Sequence, residues 1–191
     1  MNIAAIVAFS LNAIPPHQVE APTTRGYWYL TLMGGQTQKI LGSSEIRING
    51  GLDLGYGRFD PRLKLGTIPA EFVIEAYTYR TELQSAPAAS PGQTSNYGAL
   101  AVTRYRWPME KAGNGMYVDL GFGVQFVNRP TFNLQSNLNT TPMVGIGGVF
   151  RSGKHEILLG LRLLHVSNGG RVKPNRGDNI LFLTFTVRFS I

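Results

Sequence analysis

The chain has 191 residues, which is the length of one ordinary domain. Its 18 lysines and arginines outnumber its 11 acidic residues, and charged residues form only 15% of the chain, below the roughly 25% of soluble domains. The absence of cysteine excludes a disulfide scaffold, a cysteine-ligated zinc site and a cysteine nucleophile. No apolar run approaches the ~18 residues of a transmembrane helix, but the strands of a membrane barrel would escape such a search.

The first residues differ from the rest of the sequence. Residues 3–11 are almost entirely apolar and contain no charge, which matches the length of the apolar core of a secretion signal. A small residue, Ala21, follows at a suitable cleavage position. The segment lacks the basic residues that usually begin a signal, so a buried segment of the mature chain is the alternative. We predict a signal peptide over residues 1–21 and one domain over residues 22–191.

The remaining sequence alternates between apolar and polar residues with a period of two, which indicates β-strands. Clusters of Gly, Pro, Asn and Ser separate these segments, and no stretch keeps a helical period over three turns. The predicted strands are 26–34, 45–58, 70–82, 96–107, 115–128, 142–151, 155–167 and 179–191. Eight strands are typical of an antiparallel up-and-down barrel that closes on itself.

The alternation also predicts what surrounds the barrel. In 115–128, as in the second and last strands, one face carries large apolar residues and the other carries Gly and polar residues. The apolar row of 115–128 is Met116, Val118, Leu120, Phe122, Val124 and Phe126. Small and polar residues suit a narrow interior, and aliphatic residues suit lipid. The sequence therefore predicts an all-β, eight-stranded transmembrane β-barrel, with a soluble lipocalin-like carrier as the alternative.

Charged side chains inside such a barrel need partners, because an unpaired buried charge is costly. The residues expected to pair inside are Arg47, Asp53, Glu75, Asp119, Arg162 and Arg188. The aromatic residues expected at the lipid interfaces are Tyr27, Trp28, Tyr29, Tyr105 and Trp107. The alternation leaves the orientation of Arg104 and Arg106 open, because their face also carries aliphatic residues.

The second-last strand ends in a polar pair on its lipid-facing row. Gly160 and Arg162 take the interior face, so His165 and Ser167 continue the outward row. Their Cα atoms are expected about 6–7 Å apart, which lets an imidazole reach a hydroxyl. Such a pair can activate a serine as a nucleophile. The alternative is structural, since polar residues commonly end a strand at a membrane interface.

The sequence runs His-Val-Ser-Asn-Gly-Gly over 165–170 and Lys-Pro-Asn-Arg-Gly-Asp-Asn over 173–179. With the eight-strand layout, this stretch resembles the PagL-type lipid A 3-O-deacylases, outer-membrane barrels with an H-x-S-N-[AG]-G stretch on the second-last strand. The resemblance implies an outer-membrane esterase that removes the 3-O-linked acyl chain of lipid A, with His165 as general base and Ser167 as nucleophile. It implies lipopolysaccharide and other outer-membrane lipids as partners. The residues implied to stabilise the oxyanion or support the site are Asn168, Gly169, Gly170 and Asn175.

One position departs from the family pattern, which places a Glu fourteen residues after the His; here it is Asn179. By the alternation of the last strand, Asn179 lies on the side of His165 and Asp178 points inward. An asparagine can fix the histidine tautomer but cannot stabilise an imidazolium by charge. We favour a slower enzyme in which Asn179 is a neutral group that orients His165. The alternatives are Asp178 as the acid, or a catalytically idle barrel with a structural or adhesive role.

No cofactor or metal site is expected, because His17 and His155 have no companions at metal-ligand spacing. No nucleic-acid binding is expected either, since the basic residues are spread along the chain without an aromatic-interleaved run. Attraction to anionic lipopolysaccharide explains the formal charge of +7 equally well. The sequence is compatible with a homodimer but does not specify one.

Overall fold

The structure, a computed structural model, describes residues 26–108, 114–152, 155–173 and 175–190. The predicted signal peptide therefore lies outside the described residues. The strands within these ranges are β1 (Tyr27–Gln38), β2 (Ile46–Leu65), β3 (Ile68–Ser85), β4 (Gln93–Pro108), β5 (Gly115–Val127), β6 (Leu138–Thr140), β7 (Met143–Ser152), β8 (His155–Val166) and β9 (Asp178–Ser190). Within these ranges, no helix is long and apolar enough to cross a membrane.

All of these strands except β6 form one closed antiparallel barrel. Neighbours in the chain pair with one another, β5 pairs with β7, and β1 pairs with β9 to complete the ring. The short strand β6 pairs with the end of β5 and so lies at the rim of the barrel. The prediction of an eight-stranded up-and-down barrel is confirmed.

Most predicted strand ends agree with the structure to within one residue. The exceptions are β1, which ends four residues later, β4, which begins three residues earlier, the short β6, which is not among the predicted strands, and the longer hairpin of β2 and β3. This hairpin extends to Leu65 and Ile68, with Gly66 at a positive φ of 61° in its turn. Its register shifts between Phe59 and Lys64, so one strand contains extra residues that the other does not match. Such a bulge breaks the period-two pattern, which is why the sequence does not reveal the full length of the hairpin.

The apolar rows face outward, as predicted. In β5, Leu120, Phe122 and Val124 are 52%, 59% and 51% exposed, whereas Tyr117 and Asp119 are buried. The same division holds along β2 and β9. A continuous band of exposed aliphatic and aromatic side chains around a closed barrel is the surface that lipid covers.

Paired charges fill the interior. Arg162 donates to Asp53 at 3.1 Å and to Glu75 at 2.9 Å, and Arg104 binds both carboxylate oxygens of Asp119 at 2.8 Å. The other interior pairs join Arg47 with Glu45, and Arg106 and Arg188 with Glu71 and Glu156. The predicted pairing is therefore confirmed, and the orientation of Arg104 and Arg106, which the sequence left open, is inward.

The prediction that Tyr27 and Tyr29 lie at a lipid interface is wrong. Both side chains are 1% exposed, and their hydroxyl groups donate to the interior carboxylates of Glu71 and Glu75. They share the inward parity of β1, whereas Trp28 points outward. Inward glycines leave room for these rings, since a methyl group at Gly55 would overlap the ring of Tyr29.

Loss of one interior cation should destabilise the barrel strongly. Replacing Arg162 with Leu leaves two buried carboxylates unpaired, which we expect to lower the free energy of unfolding by about 3–5 kcal/mol. The measurement is the temperature at which the detergent-solubilised barrel loses its compact gel mobility. Arg62→Leu is the matched control, because the Arg62 side chain is 80% exposed in its pair with Asp60 and its loss should change little. Equal shifts in the two variants would contradict this interior network.

The two ends of the barrel differ in the length of their connections. Those at one end span residues 39–45, 86–92, 128–142 and 167–177, and those at the other span 66–67, 109–114 and 153–154. Outer-membrane barrels have long connections outside the cell and short ones in the periplasm. The end with the long connections, which also carries His165 and Ser167, is therefore assigned to the cell exterior.

Candidate active site

The candidate site lies where β8 and β9 reach the outer end of the barrel. His165 and Asn179 face each other across these strands in register, and both belong to the outward parity of their strands. Ser167 lies just beyond the end of β8. Two backbone hydrogen bonds, Thr140 N–H to Ser167 O at 2.7 Å and Ser167 N–H to Thr140 O at 3.1 Å, fix its backbone against β6.

The contacts of Asn179 define the tautomer of His165. His165 Nδ1 lies 2.7 Å from Asn179 Oδ1, and Asn179 Nδ2 donates to the carbonyl oxygen of Ile40 at 2.6 Å. A carbonyl oxygen can only accept, so the amide NH₂ group must face Ile40 and the amide oxygen must face the imidazole. In neutral His165 the hydrogen is therefore on Nδ1, and Nε2 keeps a lone pair with which it can accept a proton.

Asp178, the alternative acid, points into the barrel. It is buried, and its Oδ1 accepts a hydrogen bond from Asn133 Nδ2 at 2.7 Å. Within the described residues, the His165 ring forms its hydrogen bond with Asn179 and not with Asp178. Asp178 and Asn179 thus take the opposite sides that the alternation predicts.

The hydroxyl oxygen of Ser167 accepts two hydrogen bonds. Gly169 N–H donates to Oγ at 3.1 Å, and Asn175 Nδ2 donates to it at 3.0 Å. Asn175 is itself oriented, because its Oδ1 accepts from Asn168 N–H at 3.2 Å. No hydrogen bond joins Ser167 to His165 in the described part of the chain. The two donors occupy the acceptor positions of Oγ, so the hydroxyl hydrogen remains available for a base.

Asn168 organises the turn that follows the serine. Its side chain is fully buried, with Oδ1 accepting from Gly170 N–H at 2.9 Å and Nδ2 donating to Val172 O at 2.8 Å. Gly169 and Gly170 adopt φ values of 66° and 79°, the left-handed region that residues with a side chain rarely enter. The amide of Asn168 is thus used within the turn, and the donors at Ser167 are Gly169 and Asn175.

A residue without any sequence signal, Asn133, connects the site to the rest of the barrel end. It lies in the lid segment (residues 128–137) and is fully buried. Its N–H donates to Glu45 at 3.0 Å, its side chain donates to Asp178, and its carbonyl accepts from Arg176 N–H at 3.3 Å. Although burial opposes the charged form of Glu45, hydrogen bonds from neighbouring side chains lower its pKa. The lid segment is therefore bound to a buried anion beneath the site.

Replacing Asn133 with Ala should loosen this end of the barrel. The change leaves the buried Asp178 carboxylate without its amide donor, which we expect to cost about 1–3 kcal/mol of stability. The readout is the temperature at which the compact gel mobility is lost. Asn128→Ala, an exposed asparagine in the same lid segment that accepts from Ser95 N–H, is the matched control. If both variants unfold at the same temperature, Asn133 does not have the connecting role described.

Known proteins resemble this chain in sequence and in fold. A family model described as lipid A 3-O-deacylase (PagL) matches residues 23–188. The lipid A deacylase PagL of Bordetella bronchiseptica is 29% identical over 103 residues, an alignment that covers 52% of this chain and 53% of that protein. The match thus spans about half the length of the curated relative.

Two solved structures share the fold. The crystal structure of the outer membrane enzyme PagL has a TM-score of 0.60 and 19% identity, over 85% of this chain and 99% of that chain. The structure of Neisserial surface protein A has a TM-score of 0.53 and 15% identity, over 87% of this chain and 97% of that chain. At these identities the likeness describes the barrel and not its chemistry.

Proposed function

The chain belongs to the lipid A 3-O-deacylase (PagL) family, and from this premise we propose that it hydrolyses the ester of the 3-O-linked acyl chain of lipid A. The barrel lies in the bacterial outer membrane. Lipopolysaccharide occupies the outer leaflet, and Ser167 lies at the outer end of the lipid-facing wall. The ester bonds of lipid A lie at the boundary between its sugars and its acyl chains, the level at which the apolar rows of the barrel end.

In the proposed reaction Ser167 Oγ attacks the ester carbonyl carbon while His165 Nε2 takes the hydroxyl proton. Among the described residues, the Ser167 hydroxyl hydrogen is not donated to another acceptor, and His165 Nε2 has a free lone pair. The direct hydrogen bond between the two side chains forms when substrate binds, since such contacts are commonly open in unliganded enzymes.

Gly169 N–H and Asn175 Nδ2 are the proposed oxyanion donors. Both already donate to Ser167 Oγ, so they lie next to the carbonyl carbon that Oγ attacks. As the new bond forms, their hydrogen bonds pass from Oγ, whose lone pair is used in that bond, to the carbonyl oxygen that becomes negative. When the tetrahedral intermediate collapses, the bond to the sugar oxygen breaks and His165 returns its proton to that oxygen. Water, activated by His165, then hydrolyses the acyl-enzyme and releases the fatty acid.

The observation that carries the proposal is the pair of hydrogen bonds made by Asn179. In a serine-protease triad, Asp→Asn lowers turnover about 10⁴-fold, largely because the histidine takes the wrong tautomer. Here the Ile40 carbonyl orients the amide so that Nδ1 carries the hydrogen. Asn179 therefore supplies the orientation that a carboxylate would supply, and only the stabilising charge is missing.

The second candidate function is an idle barrel with a structural or adhesive role, which the neutral side chain at position 179 favours. The two are separated by incubating the detergent-purified protein with lipopolysaccharide and weighing the lipid A by mass spectrometry. The proposal predicts the loss of one hydroxyacyl chain from the 3-O position. Unchanged lipid A, with the barrel folded, would favour the idle barrel.

A further inference from the structure

Four exposed basic residues lie close in sequence to the residues of the candidate site. We call them the basic rim: Lys39, Arg171, Lys173 and Arg176. They lie on the two connections that hold the site, 39–45 and 167–177. Their positive charge is therefore concentrated at the outer end of β8 and β9, at the level where a lipid headgroup meets the wall.

The position of Arg171 within the basic rim is fixed. Its Nε donates to Asn168 O at 3.0 Å, and its Nη2 donates to Leu138 O at 2.8 Å. Asn168 is the neighbour of Ser167, so the guanidinium lies beside the turn that holds the serine. A guanidinium has five N–H groups, and those not used by these two carbonyls remain available to an anion.

The other cations approach the site from neighbouring positions. Arg176 follows Asn175, which donates to Ser167, and its Cζ lies 4.2 Å from the ring centroid of Phe132 in the lid segment. Lys39 precedes Ile40, whose carbonyl holds Asn179. Two contacts of the catalytic groups, that of Asn175 with Ser167 and that of Ile40 with Asn179, thus have a cation next to them in the chain.

The basic rim carries positive charge that the described residues do not neutralise. Within the described ranges none of its four members forms an ion pair, whereas the interior arginines are all paired with carboxylates. The acidic residues nearest to the basic rim in the chain are Glu45, in the first of these connections, and Asp178, the first residue of β9. Both are buried and hydrogen-bonded inside the barrel. The exposed charge therefore faces outward, available to an anionic ligand.

We propose that the basic rim binds a phosphate group on the sugar headgroup of the lipid substrate and so sets which ester reaches Ser167. The proposal rests on the function proposed above. Phosphate oxygens match the fork of a guanidinium, and such charge-assisted hydrogen bonds are among the strongest in proteins. The headgroup would be held at the rim while its acyl chains extend along the apolar wall below.

The test compares binding of lipid A and of enzymatically dephosphorylated lipid A to detergent-solubilised protein carrying Ser167→Ala, so that no turnover is needed. On this background, Arg171→Gln with Lys173→Gln is expected to weaken binding of phosphorylated lipid A about tenfold or more, the effect of losing one charge-assisted contact. Binding of the dephosphorylated lipid should not change. Lys64→Gln, an exposed lysine at the other end of the barrel, is the control.

Unchanged affinity for phosphorylated lipid A would overturn the proposal. An equal loss of affinity for both lipids would also overturn the proposal, because Arg171 would then only support the turn that follows Ser167. Lys173→Gln alone removes one charge and leaves the hydrogen bonds of Arg171 to Asn168 O and Leu138 O in place. It should still weaken binding of phosphorylated lipid A and leave binding of the dephosphorylated lipid unchanged. If the unchanged protein, with Ser167 present, binds lipid A in a phosphate-dependent way but does not hydrolyse it, the proposal for the basic rim stands and the esterase function is rejected.

Discussion

Replacing Ser167 with Ala is expected to lower the release of hydroxy fatty acid from lipopolysaccharide by about 10³-fold or more, the scale seen when a catalytic nucleophile is removed. The change removes the attacking oxygen and leaves the barrel and its outward surface intact. The measurement is the initial rate of fatty-acid release by detergent-solubilised protein. Ser85→Ala, at the exposed end of β3, is the matched control and should retain full activity.

His165→Gln should cause a loss of similar size, and the double variant should be no worse than either single one. Residues that act as one catalytic unit are strongly non-additive. Retained activity in Ser167→Ala would mean that another group or a bound water attacks the ester. Multiplicative losses in the double variant would mean that the two residues act independently, against the proposed pair.

Replacing Asn179 with Glu is expected to raise kcat about tenfold, because a carboxylate adds charge stabilisation to the imidazolium that forms during attack. A hydrogen bond to a charged group exceeds a neutral one by about 1 kcal/mol or more, which sets this scale. The longer side chain has to turn away from the Ile40 carbonyl, since a carboxylate cannot donate to it. The measurement is kcat for lipid A hydrolysis.

Two further substitutions at this position separate charge from orientation. Asn179→Asp is closest in shape but sets a carboxylate oxygen against the Ile40 carbonyl, which Asn179 Nδ2 approaches to 2.6 Å, so a smaller gain is expected. Asn179→Leu removes the orienting contact and should lower activity. If all three variants have the activity of the unchanged protein, Asn179 does not act through His165.

Much of the barrel can be predicted because lipid outside and a narrow interior impose a strict period of two. That period correctly assigns the faces of β2, β5 and β9 and places His165 and Asn179 on one side. The prediction for Tyr27 and Tyr29 failed because it rested on residue type, whereas parity decides orientation and turns both rings inward. The period itself fails beyond Phe59, where a bulge breaks the alternation.

The candidate site could be predicted only where its residues are close in sequence. The spacing of His165 and Ser167 is visible directly, and the family resemblance indicated Asn175. The contact of Asn179 with Ile40 joins residues 139 positions apart, and Asn133 meets Glu45 across 88. No local pattern encodes such contacts, since they depend on how the connections fold over the end of the barrel.

The most direct test of the central claim is whether Ser167 is an activated nucleophile. A fluorophosphonate, which reacts covalently with activated serines, is incubated with the folded protein, and the labelled site is mapped by mass spectrometry. We expect one label, on Ser167, that is absent in Ser167→Ala and strongly slowed in His165→Gln. A folded protein that remains unlabelled, or one labelled at Ser167 at the same rate without His165, would contradict this claim.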